Sequence, residues 1–255
     1  MIHQSLPPLY SWKEIKGRFL LLASEEQAQQ TLTRFYRQLS KDEKTINHWA
    51  YGNTIKFSFF IRHAITFFNE ANHSVLMIKP LLLFYGLTNF KKALLLLYDP
   101  DYPKTSRVLQ HGLTTRKKKK IAYRFADDEI KIQREGLLPY FAKQVLHQSL
   151  TINAKYKVIK LLSQCSPLKS SLRLVYQEEK LTGTEDPLHP LLTYHMLMYC
   201  LSMLCRYDTE TWGELLDPFL SPERHIIDQF LELASHQYPY LILKHITSTA
   251  EQIDQ

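Results

Sequence analysis

Apolar positions at three- and four-residue steps run through most of this chain. After Ser24, the residues Ala28, Leu32, Phe35, Tyr36 and Leu39 fall on one stripe, the mark of an amphipathic helix. Phe57, Phe60, Ile61, Ala64, Ile65 and Phe68 repeat the pattern and predict a helix over 55–72. Positions 81–98 are apolar on nearly every face, so a helix there must be enclosed by others and form the hub of the core. Pro80 suits its first turn, where a missing N–H costs nothing. Asp99-Pro-Asp-Tyr-Pro103 then stops it. Further helical patterning covers 137–148, 155–164, 168–180 and 190–206. Ser221-Pro-Glu223 opens a last helix, with rows Ile226, Phe230, Leu233 and Ile227, Leu231, Ala234. Ser11 with Glu14, Ser24 with Gln27 and Ser40 with Glu43 have the spacing of the capping box.

The period changes once. Ile121, Tyr123 and Phe125 alternate with other residues, Asp127-Asp128 supplies a turn, and Ile130 and Ile132 alternate again, which predicts a hairpin near 121–133. Thr182-Gly-Thr-Glu-Asp-Pro187 reads as a linker. The expected fold is therefore mainly α: a compact multi-helix domain around a buried central helix, with one small β-hairpin. Residues 1–181 form its basic helical core, and 188–255 an acidic C-terminal helical subdomain packed on the same core.

Composition narrows the chemistry. With 45% hydrophobic residues the chain is not disordered. Seven glycines in 255 residues argue against a glycine-rich nucleotide cradle, and no Walker loop, dinucleotide fingerprint or nucleophile elbow occurs. Three cysteines (Cys165, Cys200, Cys205) make no disulfide framework, and no His-Glu-x-x-His or Cys-x-x-Cys is present. No metal, cofactor or catalytic residue is expected. Asn89, Lys91 and Lys92 interrupt the most apolar stretch; each lysine would cost ~2.5–3.5 kcal/mol near the middle of a bilayer, so no membrane partner is expected. The opening residues lack a basic–apolar secretory signal. A cytoplasmic protein is the expectation.

The net charge of +7 is unevenly spread, residues 1–125 carrying +12 and residues 126–255 carrying −5. Between 104 and 124 there are eight Lys or Arg and no acid. Arg116, Lys117, Lys118, Lys119 and Lys120 repel one another unless an anion neutralises them. Thr114 and Thr115 add hydroxyls, Gly112 permits a positive φ, and Arg124 extends the run, a composition that suits phosphate. The plainer reading of the same run is a solvated surface loop. Tyr85, Asn89 and Lys92 share one face of the hub helix. With His111 and Arg206 they form a possible pocket, although a structural network around Asn89 and a helix-end role for Arg206 explain those two residues as well.

Pro80-Leu-Leu-Leu-Phe-Tyr-Gly-Leu-Thr-Asn-Phe-Lys-Lys-Ala93, Asp99-Pro-Asp-Tyr-Pro103, His111-Gly-Leu-Thr-Thr-Arg-Lys117 and Asp128-Glu-Ile-Lys-Ile-Gln133 carry a resemblance. Together with Leu201-Ser-Met-Leu-Cys-Arg-Tyr207 and Trp212, they resemble the bacterial YaaC-like family over residues 55–245. In some bacteria that family's gene lies beside the gene of IMP dehydrogenase, so the resemblance implies a purine-pathway partner. The paired-helix pattern is also similar to HEPN-type domains, many of them ribonucleases in which a histidine follows an arginine after about four to six residues. Here Arg107 precedes His111 by three intervening residues, and no other pair fits. The expected function is a non-catalytic binding or regulatory protein whose segment 104–124 engages an anionic partner: nucleic acid, a nucleotide, or an acidic face of a partner enzyme such as IMP dehydrogenase. The alternative is a HEPN-like metal-independent ribonuclease, with His111 as acid/base and Arg107 or Arg116 stabilising the phosphorane.

Overall fold

The computed structural model of the chain describes residues 11–115, 123–176, 181, 187–217, 219 and 221–253. Four helices open it: α1 (Trp12–Leu22), α2 (Glu25–Tyr36), α3 (Glu43–His73) and α4 (Lys79–Tyr98). A 3-10 turn (Ser106–Leu109) and β1 (Leu113–Thr115) follow, then a 3-10 turn (Phe125–Asp127), β2 (Glu129–Ile132) and α5 (Leu137–Val145). Next come β3 (Lys155–Lys157), α6 (Val158–Gln164) and α7 (Lys169–Val175), and finally α8 (Pro190–Tyr207), α9 (Thr209–Leu216) and α10 (Glu223–Ile253).

The capping boxes form unequally. Ser11 makes both bonds, its Oγ accepting from Glu14 N (3.3 Å) while its own N–H donates to the Glu14 carboxylate (2.7 Å). Ser24 is an N-cap by position, but its hydroxyl donates back to the Leu21 carbonyl (2.8 Å). At the third, Asp42 replaces Ser40 as the N-cap and accepts from Thr45 N (3.1 Å). A carboxylate at a helix N-terminus also meets the positive end of the dipole, which favours Asp42 over the serine.

The hub lies where the apolar pattern put it. α4 packs against α2, α3, α5, α8 and α10. Leu83, Phe84, Leu87, Phe90 and Leu94 through Leu97 are buried in it. Each such side chain contributes about 1.5–3 kcal/mol relative to exposure. α3 comes so close that a Cβ on Gly86 would lie 2.6 Å from Phe68. Among the described residues α4 is the one helix long and apolar enough to span a bilayer, and 67% of that window is buried inside the protein. Leu191, Leu201, Ile226 and Tyr238 belong to the same contiguous core, so the helices after residue 188 share it with those before 181.

The small sheet is antiparallel in the order β1–β2–β3. β2 falls inside the expected hairpin, but its partners differ from those expected. Leu113 pairs with Ile132 and Thr115 with Ile130, while Tyr156 of β3 lies on the other side of Ile130. Residues 121 and 122 lie outside the described residues; Phe125 is not in a strand but in a 3-10 turn, buried in the core. Asp128 follows that 3-10 turn; its carboxylate accepts from Glu129 N (2.9 Å) and from the Tyr123 hydroxyl (2.8 Å). The stretch 155–164 divides, Lys155–Lys157 pairing with β2 before the helix begins at Val158.

Candidate anion-binding site

Tyr85, Asn89 and Lys92 rise in order along one face of α4. The Asn89 amide donates to the Tyr85 carbonyl (2.9 Å), which settles one of its hydrogens within the helix. The Tyr85 ring packs on Phe67 (centroids 5.6 Å), and the Lys92 amine stands 5.7 Å from the Phe60 ring centre. α8 ends beside them. In its last turn Arg206 donates from Nε to the Ser202 carbonyl (3.2 Å) and from Nη1 to the Tyr85 hydroxyl (3.4 Å). Its guanidinium also stacks 4.9 Å from the Tyr207 ring centre. The cation therefore serves the helix C-terminus and reaches across to α4 at once.

His111 is brought to this place by two glycines. Gly112 (φ +77) and Gly136 (φ +136) adopt backbone that L side chains rarely take. They cross so closely that a Cβ on Gly112 would lie 2.4 Å from Pro139, and one on Gly136 2.3 Å from Gly112 N. The crossing lets the Gln110 and His111 carbonyls accept from the first N–H groups of α5, Leu137 (2.6 Å) and Leu138 (3.2 Å). Tyr199 of α8 holds the adjoining strand by donating to the Leu113 carbonyl (2.9 Å). The His111 ring then sits between Phe84 (5.1 Å) and Tyr199 (5.5 Å).

Charge decides what this arrangement does. Burial, and then the nearby Arg206 and Lys92, hold the His111 imidazole below its ordinary proton affinity. Burial likewise lowers the Lys92 amine. Among the described residues neither Lys92 nor Arg206 has a carboxylate in ion-pair range, whereas Arg37, Lys79, Lys104, Arg107 and Lys155 are each matched to one. Arg206 thus reaches Tyr85, and Lys92 and Arg206 lie close enough to His111 to act on its charge.

The remaining expected anchors are more dispersed. Thr114 is exposed on β1, its Oγ1 accepting from the Gln133 amide (3.0 Å), and Thr115 ends the strand half-buried. Arg116, Lys117, Lys118, Lys119 and Lys120 lie outside the described residues. Arg124 is exposed and stands 5.1 Å above the Tyr176 ring. Arg107, named for the ribonuclease alternative, is ion-paired with Glu135 (3.3 Å).

A protein-family model described as YaaC-like Protein matches residues 20–186 and 179–246. The chain belongs to the YaaC-like family. No curated protein and no solved structure matches it. Every described residue of the cluster falls within the YaaC-like match. So do three buried groups that the sequence did not single out as special. Lys91 is fully enclosed, its amine 4.6 Å from the Phe141 ring centre with no hydrogen-bond partner among the described residues, and burial drives its proton affinity well down. His195 of α8 is equally enclosed beside Phe84, with neither ring nitrogen partnered among the described residues; burial, then Lys91 and His111, hold its proton affinity well down. Glu223, the first residue of α10, accepts from Phe125 N (2.6 Å), Ala126 N (3.2 Å) and the Tyr176 hydroxyl. Among the described residues of this YaaC-like chain no group of three or more His, Cys, Asp or Glu is placed to hold a metal.

Proposed function

We propose that this YaaC-like chain is a non-catalytic binding protein of the cytoplasm that engages an anionic partner on the face where Lys92, His111 and Arg206 meet. One observation carries the reading: three basic side chains converge from α4, the loop before β1 and the end of α8, with no carboxylate in ion-pair range among the described residues. An anion arriving beside them would oppose the depression of His111 and Lys92 and raise the proton affinity of both. In sequence, Thr115 leads directly into Arg116, Lys117, Lys118, Lys119 and Lys120, five cations that extend the same attraction.

The partner is a nucleic acid, a nucleotide or an acidic face of an enzyme, IMP dehydrogenase being the one the family resemblance implies. Titrations of the whole protein with single-stranded RNA, a nucleotide and purified IMP dehydrogenase test this. Replacing Lys117, Lys118, Lys119 and Lys120 by alanine should weaken binding. For RNA it should also make the slope of log affinity against log salt shallower, by about 0.7 for each phosphate no longer neutralised. The pair Lys92→Ala and Arg206→Ala should weaken binding about tenfold or more. Unchanged affinity for all three partners in both variants overturns the proposal. Metal-free RNA cleavage that disappears in His111→Ala would replace it with the ribonuclease reading.

A further inference from the structure

We infer that a second cavity, beside α5, is a site for a nucleoside monophosphate. This goes beyond the function proposed above, because none of Tyr85, Asn89, Lys92, His111 or Arg206 lines it. The cavity measures about 320 Å³ and lies between the 3-10 turn Ser106–Leu109, the residues leaving β2, and α5. That volume is at the small end of ligand pockets and suits a mononucleotide, not an oligonucleotide or a folded domain.

Its walls have two characters. Arg107, Arg134 and Lys143 give it three cations against one carboxylate, Glu135. Glu135 is already engaged by Arg107 (3.3 Å), which leaves Arg134 and Lys143, both exposed and neither ion-paired among the described residues. Two unmatched cations facing one cavity fit a phosphate monoester, which carries nearly two negative charges at neutral pH. The rest of the lining includes apolar side chains: Val108, Pro139, Leu150 and Ile152, the last 51% exposed. Inorganic phosphate would leave those side chains in water, and so would a sugar phosphate. A flat base covers them, while Gln133 and Ser149 offer hydrogen bonds to ribose or base edges.

The cavity is preformed. Tyr140, on its wall, donates its hydroxyl to Asp99 and stacks on Tyr102 (centroids 6.2 Å), and Gly136 is fixed by its crossing with Gly112. The first N–H groups of α5 are taken by the Gln110 and His111 carbonyls, so the side chains of Arg134 and Lys143, not the helix terminus, hold the phosphate.

Calorimetric titration of the full chain with AMP, UMP, adenosine and inorganic phosphate is the test. AMP or UMP should bind at least tenfold more tightly than adenosine or phosphate, because only the nucleotides use both the cations and the apolar side chains. The double variant Arg134→Ala, Lys143→Ala should weaken that binding tenfold or more. Both positions are exposed, and an unchanged thermal midpoint will show that the variant folds. In crystals soaked with AMP the phosphate should lie against Arg134 and Lys143; AMP found against Lys92 and Arg206 instead would overturn the inference. If neither nucleotide binds, if the double variant binds as well as the native chain, or if phosphate alone binds as tightly, the inference falls.

Discussion

Lys91 and Lys92 are consecutive, about 100° apart around α4, and the fold treats them in opposite ways. Lys91 is sealed between helices, with its amine over the Phe141 ring and no acceptor among the described residues. Lys92 stands half-buried over Phe60, within the field of His111 and beside the helix face that Arg206 reaches. A charge taken out of water without a partner costs so much that the group discharges instead. At the rim the cost is smaller, and an anion from outside can supply what the protein withholds. Glu223 shows the third course: equally buried, it is met by two backbone N–H groups and a tyrosine hydroxyl. Cationic residues alone therefore do not identify a binding face. What identifies one is a cation that is neither sealed in nor already paired.

The harshest way to break the comparison is to remove the loop crossing that brings His111 to α4. Gly112→Ala would place a methyl 2.4 Å from Pro139 on a backbone with φ +77. A loss of about 3 kcal/mol or more in denaturant unfolding is expected; a native-like midpoint would show that the crossing does not position the loop. Lys91→Met comes next, with the opposite sign. It should stabilise the protein by about 1–3 kcal/mol at neutral pH, since a flexible apolar chain replaces an unpartnered amine. The pH dependence is more telling. The folded proton affinity of Lys91 is depressed, so between its folded and unfolded values the unfolded chain binds one more proton. Stability must then rise with pH through the alkaline range, by up to about 1.4 kcal/mol per unit until the unfolded lysine titrates near 10.4. Unfolding curves of Lys91→Met measured from pH 7 to 10 should lack that rise.

Gentler changes sharpen the outer half. Lys92→Met should alter stability by less than about 1 kcal/mol while lowering anion affinity about tenfold; a large stability change with intact binding would assign Lys92 to the core instead. The smallest effect concerns protons. Because burial and two neighbouring cations depress His111, a bound anion should raise it, so binding takes up a proton. Native affinity should increase a few-fold as pH falls from about 7 to about 5.5, and His111→Gln should flatten that profile. A flat native profile would remove His111 from the site.

Local pattern made much of this legible. Proline at the start and Asp99-Pro at the end bracket a run too apolar to lie anywhere but the centre, and the helix spans Lys79–Tyr98. The spacing of Tyr85, Asn89 and Lys92 placed them on one face of a helix, and that helix formed. What stayed hidden depends on distant segments. β1 finds β2 across residues 116–128 through a crossing that needs Gly136 as much as Gly112, and no period of two marks three-residue strands such as Lys155–Lys157. Glu223 reads as a helix-start residue; its two backbone donors lie 98 and 97 positions earlier and its tyrosine donor 47. On a helix apolar all round, pattern could not say which of two adjacent lysines faces inward.

The Glu223 knot also has a mechanical meaning. It fixes Phe125 and Ala126 to the head of a 31-residue helix, while on the other side Thr115 is pinned by its pairing with Ile130. The described residues on either side of the lysine-rich stretch are therefore anchored to different parts of the fold, the near side to the sheet and the far side to the head of α10.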